Sequence, residues 1–188
     1  MIQKPSTKAL LAASLKELAK SKPADKITIK EITQNCGMTA PTFYNHFHDK
    51  YELMAWIYNE KVEEAMERLG KTLSYEDVVY KCIEPLLEDE EFYQNLLKNA
   101  VGQNAFRYTT NDHAIRLTSD WIKKYYNMSE LPAEIQFYLR FYLRAMSETI
   151  NDWFLGKCSY SPQDLTKLLI GAMPDKLKAL LLVNFTIQ

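Results

Sequence analysis

The sequence predicts an all-α fold, and three observations carry that expectation. Only five glycines occur in 188 residues, so little interrupts long helices. Apolar residues recur three and four positions apart in one segment after another. Between those segments stand helix-starting Thr, Ser and Asp and helix-ending Gly and Pro. About nine helices are expected, in an N-terminal domain over 1–50 and a C-terminal helical bundle over 51–188. Apolar content of 47% and charged content of 25% suit a soluble globular protein long enough to bury a core.

The first helix is expected over 6–21, with Leu11, Leu15 and Leu18 as its stripe and Lys22-Pro23-Ala24-Asp25 as its break. The second follows Thr28, a helix cap, and carries Ile29, Ile32 and Cys36 at helical spacing. Gly37 supplies the left-handed backbone that a sharp helix end needs. Thr39 caps a third helix over 39–47, with Ala40 and Pro41 in its first turn, where a missing N–H costs nothing. Phe43 and Phe47 are four apart and face inward, which leaves Thr42, Tyr44, Asn45 and His46 outward. A short helix with that polar face suits a DNA major groove.

Asp49 caps a fourth helix over 50–69, with Leu53, Ile57, Val62, Met66 and Leu69 along it. Gly70 ends it, and Ser74-x-x-Asp77 has the form of a capping box for a fifth helix that meets Pro85 and ends near Leu87. The EDEE run at 88–91 reads as a solvated helix start, followed by a sixth helix with Phe92, Leu96, Leu97 and Val101. A seventh is expected over 104–126, with an interruption near Thr109–Asp112, and then a linker over 127–132. The helix over 133–156 is apolar on two sides. Ile135, Leu139, Tyr142, Met146, Ile150 and Trp153 form one stripe, and Phe137, Phe141, Ala145 and Phe154 form another. One stripe can pack on its own bundle; the other needs a partner, for which a second copy of the chain is the economical choice. Ser161-Pro162 starts a last helical region that Pro174 divides.

The charge is split. Residues 1–50 hold eight lysines against four acids, net +4, whereas residues 51–188 hold fifteen basic and twenty acidic residues, net −5. A basic head on an acidic body fits a DNA reader with a separately employed second domain. Cys36, Cys82 and Cys158 are odd in number and far apart, with no CxxC or CxxH pair, so reduced intracellular thiols are expected. No signal peptide is expected at the start, and no membrane span, so the expected compartment is the cytoplasm.

The stretch 28–50 resembles the helix-turn-helix of the TetR family of bacterial transcriptional regulators. The match runs through Thr28-Ile29, Ile32, Gly37-Met38-Thr39, Thr42-Phe43-Tyr44, His46-Phe47, Lys50 and Leu53. Departures are Thr33, Cys36, Pro41 and Tyr51. The resemblance implies a sequence-specific DNA-binding regulator, repressor in preference to activator, that meets a double-stranded operator as a homodimer. It implies that the first helix braces the reading pair near the DNA backbone, with Lys4, Thr7 and Lys8 as candidate phosphate contacts. Tyr44, His46 and Lys50 match positions that touch phosphate in the family. A first-turn lysine opposes the helix dipole, which makes an anion its expected partner. Thr28 and Thr39 add cap N–H groups. Ala40, Thr42 and Asn45 are the candidates for base edges, where asparagine pairs bidentately with adenine; Pro41 sits among them without a side-chain hydrogen bond to give.

The body resembles a subgroup that includes dihydroxyacetone-kinase operon regulators, through Phe141-Tyr142, Trp153-Phe154, Tyr160-Ser161-Pro162 and Met173-Pro174. The family implies that the last two helices pair with those of the mate, and that the body binds an effector, either a small molecule or a protein. Candidates for lining its pocket are Phe92, Phe106, Tyr108, Trp121, Tyr142 and Met146. No cofactor, metal or catalytic residue is expected. GxGxxG, P-loop, HExxH and GxSxG motifs are absent, and His46, His48 and Asp49 divide between a reading helix and a loop. The rival to a DNA reader is a helical protein–protein adaptor, which the basic exposed helix disfavours.

Overall fold

Local capping chemistry sets most helix boundaries. In a computed structural model, which describes residues 5–100 and 106–183, ten α-helices follow one another, and no β-strand forms among the described residues. They are α1 (Thr7–Ala19), α2 (Ile29–Asn35), α3 (Ala40–Tyr44), α4 (Lys50–Glu67), α5 (Tyr75–Glu88), α6 (Glu90–Asn99), α7 (Phe106–Tyr125), α8 (Ala133–Phe154), α9 (Pro162–Gly171) and α10 (Asp175–Leu181). A short 3₁₀ turn, Ala24–Lys26, links α1 to α2. The expected Lys4, Val101 and Asn104 positions lie outside the described residues.

Thr28 caps α2 in a full capping box with Glu31, and Ser74 and Asp77 exchange the same pair of bonds at α5. Asp49 Oδ1 accepts from Glu52 N at 2.8 Å, and Ser161 Oγ from Asp164 N at 3.0 Å. At the end of α2, Gly37 takes φ 69° and Met38 N–H reaches back to Thr33 O at 2.7 Å, a Schellman closure.

The chain packs as two compact units: Met1–Tyr58 with Asp89–Thr109, and Asn59–Glu88 with Thr110–Gln188. The division at residue 50 expected from the sequence follows chain order; the packing does not. In the first unit α6 packs on α1 and on the 24–26 turn. Asn95 holds it there, with Nδ2 donating to Ala19 O (2.7 Å) and Lys22 O (2.8 Å) while Oδ1 accepts from Ala24 N (2.9 Å). Lys16 and Asp89 add an ion pair at 2.7 Å. The core of this unit is Leu11, Leu15, Ile27, Ile32, Phe43, Phe47 and Leu53, all at most 3% exposed. Each such side chain contributes about 1.5–3 kcal/mol by leaving water.

In the second unit α5 packs on α9 and α8 on α10. The Tyr142 hydroxyl, buried on α8, donates to Leu169 O of α9 at 2.9 Å, and burial pushes its pKa up. Helix α7 runs unbroken through 109–112, where an interruption was expected. Those polar residues suit a loop by composition, but Asn111 is buried and donates to Leu143 O of α8 at 3.0 Å, so the helix keeps a satisfied polar contact. On α8 the expected second stripe stays at the surface at Phe137, Phe141 and Ala145, whereas Phe154 is buried with the first. No helix among the described residues is long and apolar enough to cross a membrane.

Candidate nucleic-acid interface

The reading pair is held by its neighbours. Ser14 of α1 is buried and donates to Ile32 O of α2 at 2.7 Å; Asn35 Nδ2 donates back to Ser14 Oγ at 3.1 Å. Phe43 anchors α3 in the core, in contact with Phe47 at 5.8 Å, and Phe47 meets Trp56 of α4 at 5.8 Å. Helix α3 itself is short. It ends at Tyr44, with Asn45 as its C-cap, and not at residue 47 as expected. Phe47 still faces inward because its N–H bonds Phe43 O at 2.9 Å, one more turn of helix-like spacing.

What α3 turns to solvent is the expected set. Thr39, Ala40, Pro41, Tyr44, Asn45 and His46 are exposed and Thr42 is half-buried. Thr39 caps the helix by accepting from Thr42 N (3.4 Å), and the two hydroxyls lie 2.9 Å apart. Tyr44 is 58% exposed, its ring edge-on to Phe43 at 5.7 Å. Thr28 is exposed at the start of α2, with Glu31 Oε2 accepting from both its N–H and its hydroxyl. Lys22 pairs with the other Glu31 oxygen at 2.6 Å; together these bonds lower the Glu31 pKa from about 4.5 to about 2, the Lys22 hydrogen bond being the largest cause.

Two lysines behave differently from expectation. Lys50 does not reach outward. Its ammonium donates to Asp25 O (2.6 Å), Ile27 O (2.8 Å) and Ala24 O (3.2 Å), using all three N–H groups to close the loop between α1 and α2. Three carbonyl oxygens therefore answer the first-turn charge that was expected to need an anion. Burial lowers its pKa, with Asp25 acting in the opposite direction. Lys8 sits over the rings of Phe47 (5.4 Å) and Trp56 (5.5 Å), a cation–π clasp on the head. Thr7 is half-buried as the first residue of α1. Lys30, which sequence reasoning missed, is exposed in the first turn of α2, with no carboxylate in ion-pair range among the described residues. Its place two residues after the Thr28 cap was the signal that could have found it.

The six effector candidates divide between the two units, three in each. Phe92 and Phe106 are buried in the first unit, Phe92 under Lys16 and Phe106 against Tyr58 and Tyr93. Tyr108, also in the first unit, is 63% exposed. Tyr142 and Met146 are buried core of the second unit. Phe92 also borders a pocket in the first unit, with Lys16 and Asp89, and Trp121 lines an apolar cleft in the second unit beside Tyr125.

This architecture matches known proteins. Residues 10–56 match the family model described as bacterial regulatory proteins, tetR family, and residues 74–175 match the one described as transcriptional regulator C-terminal region. A curated relative, the HTH-type dhaKLM operon transcriptional activator DhaS of Lactococcus lactis subsp. lactis, is 26% identical over 90 residues. That match spans 48% of each chain, about half the length of the relative. Among solved structures, a dihydroxyacetone kinase operon activator DhaS superposes with TM-score 0.61 at 19% identity, covering 93% of this chain and 97% of its own. A TetR regulator from Streptococcus agalactiae gives 0.58 at 17% identity, covering 87% and 90%. NalD, the secondary repressor of the MexAB-OprM efflux pump in Pseudomonas aeruginosa, gives 0.53 at 18%, covering 89% and 94%. These structures share the fold. With one family model spanning over half of the sequence and a second on the head, the chain belongs to the TetR family of transcriptional regulators, with an N-terminal helix-turn-helix that binds DNA, and is not an enzyme.

Proposed function

We propose that two copies of the chain present α3 to successive major grooves of a near-palindromic operator, and that an effector held by the C-terminal bundle sets the operator affinity. The observation that carries this reading is the division of α3. Phe43 is fully buried and fixes the helix, while Ala40, Tyr44, Asn45 and His46 beside it are exposed, which is the geometry a groove-reading helix requires. Ala40, Thr42 and Asn45 meet base edges, Pro41 packs beside them, and Thr28, Thr39, Tyr44 and His46 meet phosphates. Lys30 joins the phosphate set. Lys50 acts on DNA through the loop it closes.

The homodimer is supported by α8 and α9. Phe137 and Phe141 are each 64% exposed and lie parallel, 6.2 Å apart, and Leu168 of α9 is 52% exposed. Side chains of that size in contact at a surface mark an interaction face. The unbroken α4 is the element through which effector binding reaches the head; effector and operator then alter each other's affinity reciprocally. The chain acts inside the cell, where its operator is.

Repression is the reading we hold for the sign of control. Activation is the second reading, favoured by the similarity to DhaS, which is described as an activator. The position of the bound site relative to the promoter separates the two. A salt titration of operator binding tests the DNA reading against a protein–protein adaptor. The logarithm of affinity falls linearly with the logarithm of salt, with a slope near −0.9 per neutralised phosphate, whereas an adaptor shows no specific duplex binding at any salt.

A further inference from the structure

We propose that the cleft between the last turn of α4 and the last turns of α7 is a binding site for a small aromatic carboxylate; the proposal deepens the effector reading above and rests on it only for its consequence at the operator. The cleft measures about 500 Å³, within the range of small-molecule sites. One wall is flat: the indole of Trp121 and the phenol of Tyr125, one helical turn apart, stack at 4.7 Å with an angle of 18°. Neither ring belongs to the core, since Trp121 is half-buried and Tyr125 is 50% exposed. Met66, Leu69 and Leu117 supply the aliphatic remainder. Gly70 brings bare backbone against the rings: a Cβ there would lie 3.4 Å from Trp121 Cζ2 and 3.5 Å from Tyr125 Cε2.

The rim chooses the charge. Lys71 and Lys124 are exposed there, and neither ammonium has a carboxylate partner among the described residues. Of the two acids at the rim, Asp120 is held by Lys123 at 2.6 Å, which leaves Glu67 as the opposing charge. Two open ammonium groups against one open carboxylate favour an anion over a cation. Lysines act as point charges, and no arginine lines the cleft to grip a polyanion in a fork, so a monoanionic headgroup fits better than a phosphate. The stacked wall selects a planar body over an aliphatic chain.

Calorimetric titration of the full chain with 2-naphthoate, and with the uncharged 2-naphthalenemethanol, tests this. The expected result is one site per chain with Kd on the order of 0.1 mM for the acid, and about tenfold weaker binding of the alcohol through loss of the charge-assisted contact. The double variant Lys71→Ala, Lys124→Ala binds the acid as weakly as the alcohol. Trp121→Ala abolishes binding; where its melting curve shows a loss of fold, Tyr125→Ala gives the same reading with one ring removed. No saturable heat up to millimolar acid, equal affinity for acid and alcohol, or an unchanged double-lysine variant each overturns the proposal. Operator binding of the ligand-free protein is measured beside each variant, so failure of the cleft and failure of the DNA reading are separate results.

Discussion

Tyr44 shows 58% of its surface to solvent while Phe43, the preceding ring on the chain, shows none. That contrast is local, written in the alternation of two aromatic residues on one short helix, and it leads to a direct test. Tyr44→Ala is expected to weaken binding to every duplex about tenfold or more, as loss of a hydrogen bond to a charged phosphate does. Asn45→Ala is expected to relax sequence choice at one position of each half-site. Affinities for operator and scrambled duplexes, measured side by side, distinguish the two outcomes.

Lys50 calls for a different experiment, because its ammonium closes the 24–27 loop. Lys50→Met leaves the carbonyl oxygens of Ala24, Asp25 and Ile27 without their donor and should cost about 2 kcal/mol of stability, read as a lower urea midpoint. Loss of DNA affinity with unchanged stability would show instead that the lysine meets phosphate directly. Glu31 gives a pH signature. Its pKa is depressed in the folded head, from about 4.5 to about 2, so its contribution is present above the unfolded value and lost as pH falls through the folded one. Glu31→Gln, which keeps an acceptor for the Thr28 N–H but loses the charge, should therefore flatten the fall in stability between about pH 4.5 and pH 2, as followed by acid titration of the helical signal. The effect is small, because the carboxylate is open to solvent.

At the scale of the element, α8 carries the clearest prediction. Phe141→Glu places a charge on the exposed parallel pair and should turn a dimer into a monomer at micromolar concentration without unfolding the chain; sedimentation shows which species is present. Caps were legible in the sequence because they are local. Thr28, Asp49, Ser74 with Asp77, Ser161, Gly37 and Gly70 each stand within a few residues of what they hold. Three features were not legible, each for a physical reason. Helix α7 crosses a polar run because a carbonyl of α8 answers Asn111, a partner 32 residues away. Helix α6 joins the first unit through Asn95, whose partners lie more than 70 residues earlier. The end of α3 depends on a competition between turn and helix hydrogen bonds over 45–47, in which His46 N–H also takes Phe43 O, at 2.9 Å.

For the whole molecule, the +4 head and −5 body fit a division of labour, with the proposed reading face on the head. The effector candidates were chosen by aromatic content, which does not tell core from cleft; Phe92 borders a small pocket in the first unit and Trp121 lines a cleft in the second. The proposed dimer and operator are linked, since two heads would demand two half-sites spaced by a whole number of helical turns. Selection of bound duplexes from a random pool by the purified protein decides whether the chain reads DNA sequence through α3. The expected result is an enriched near-palindrome whose half-sites lie one helical turn or a multiple apart, lost in the Tyr44→Ala protein; a pool that returns no preferred sequence at low salt would overturn the DNA reading.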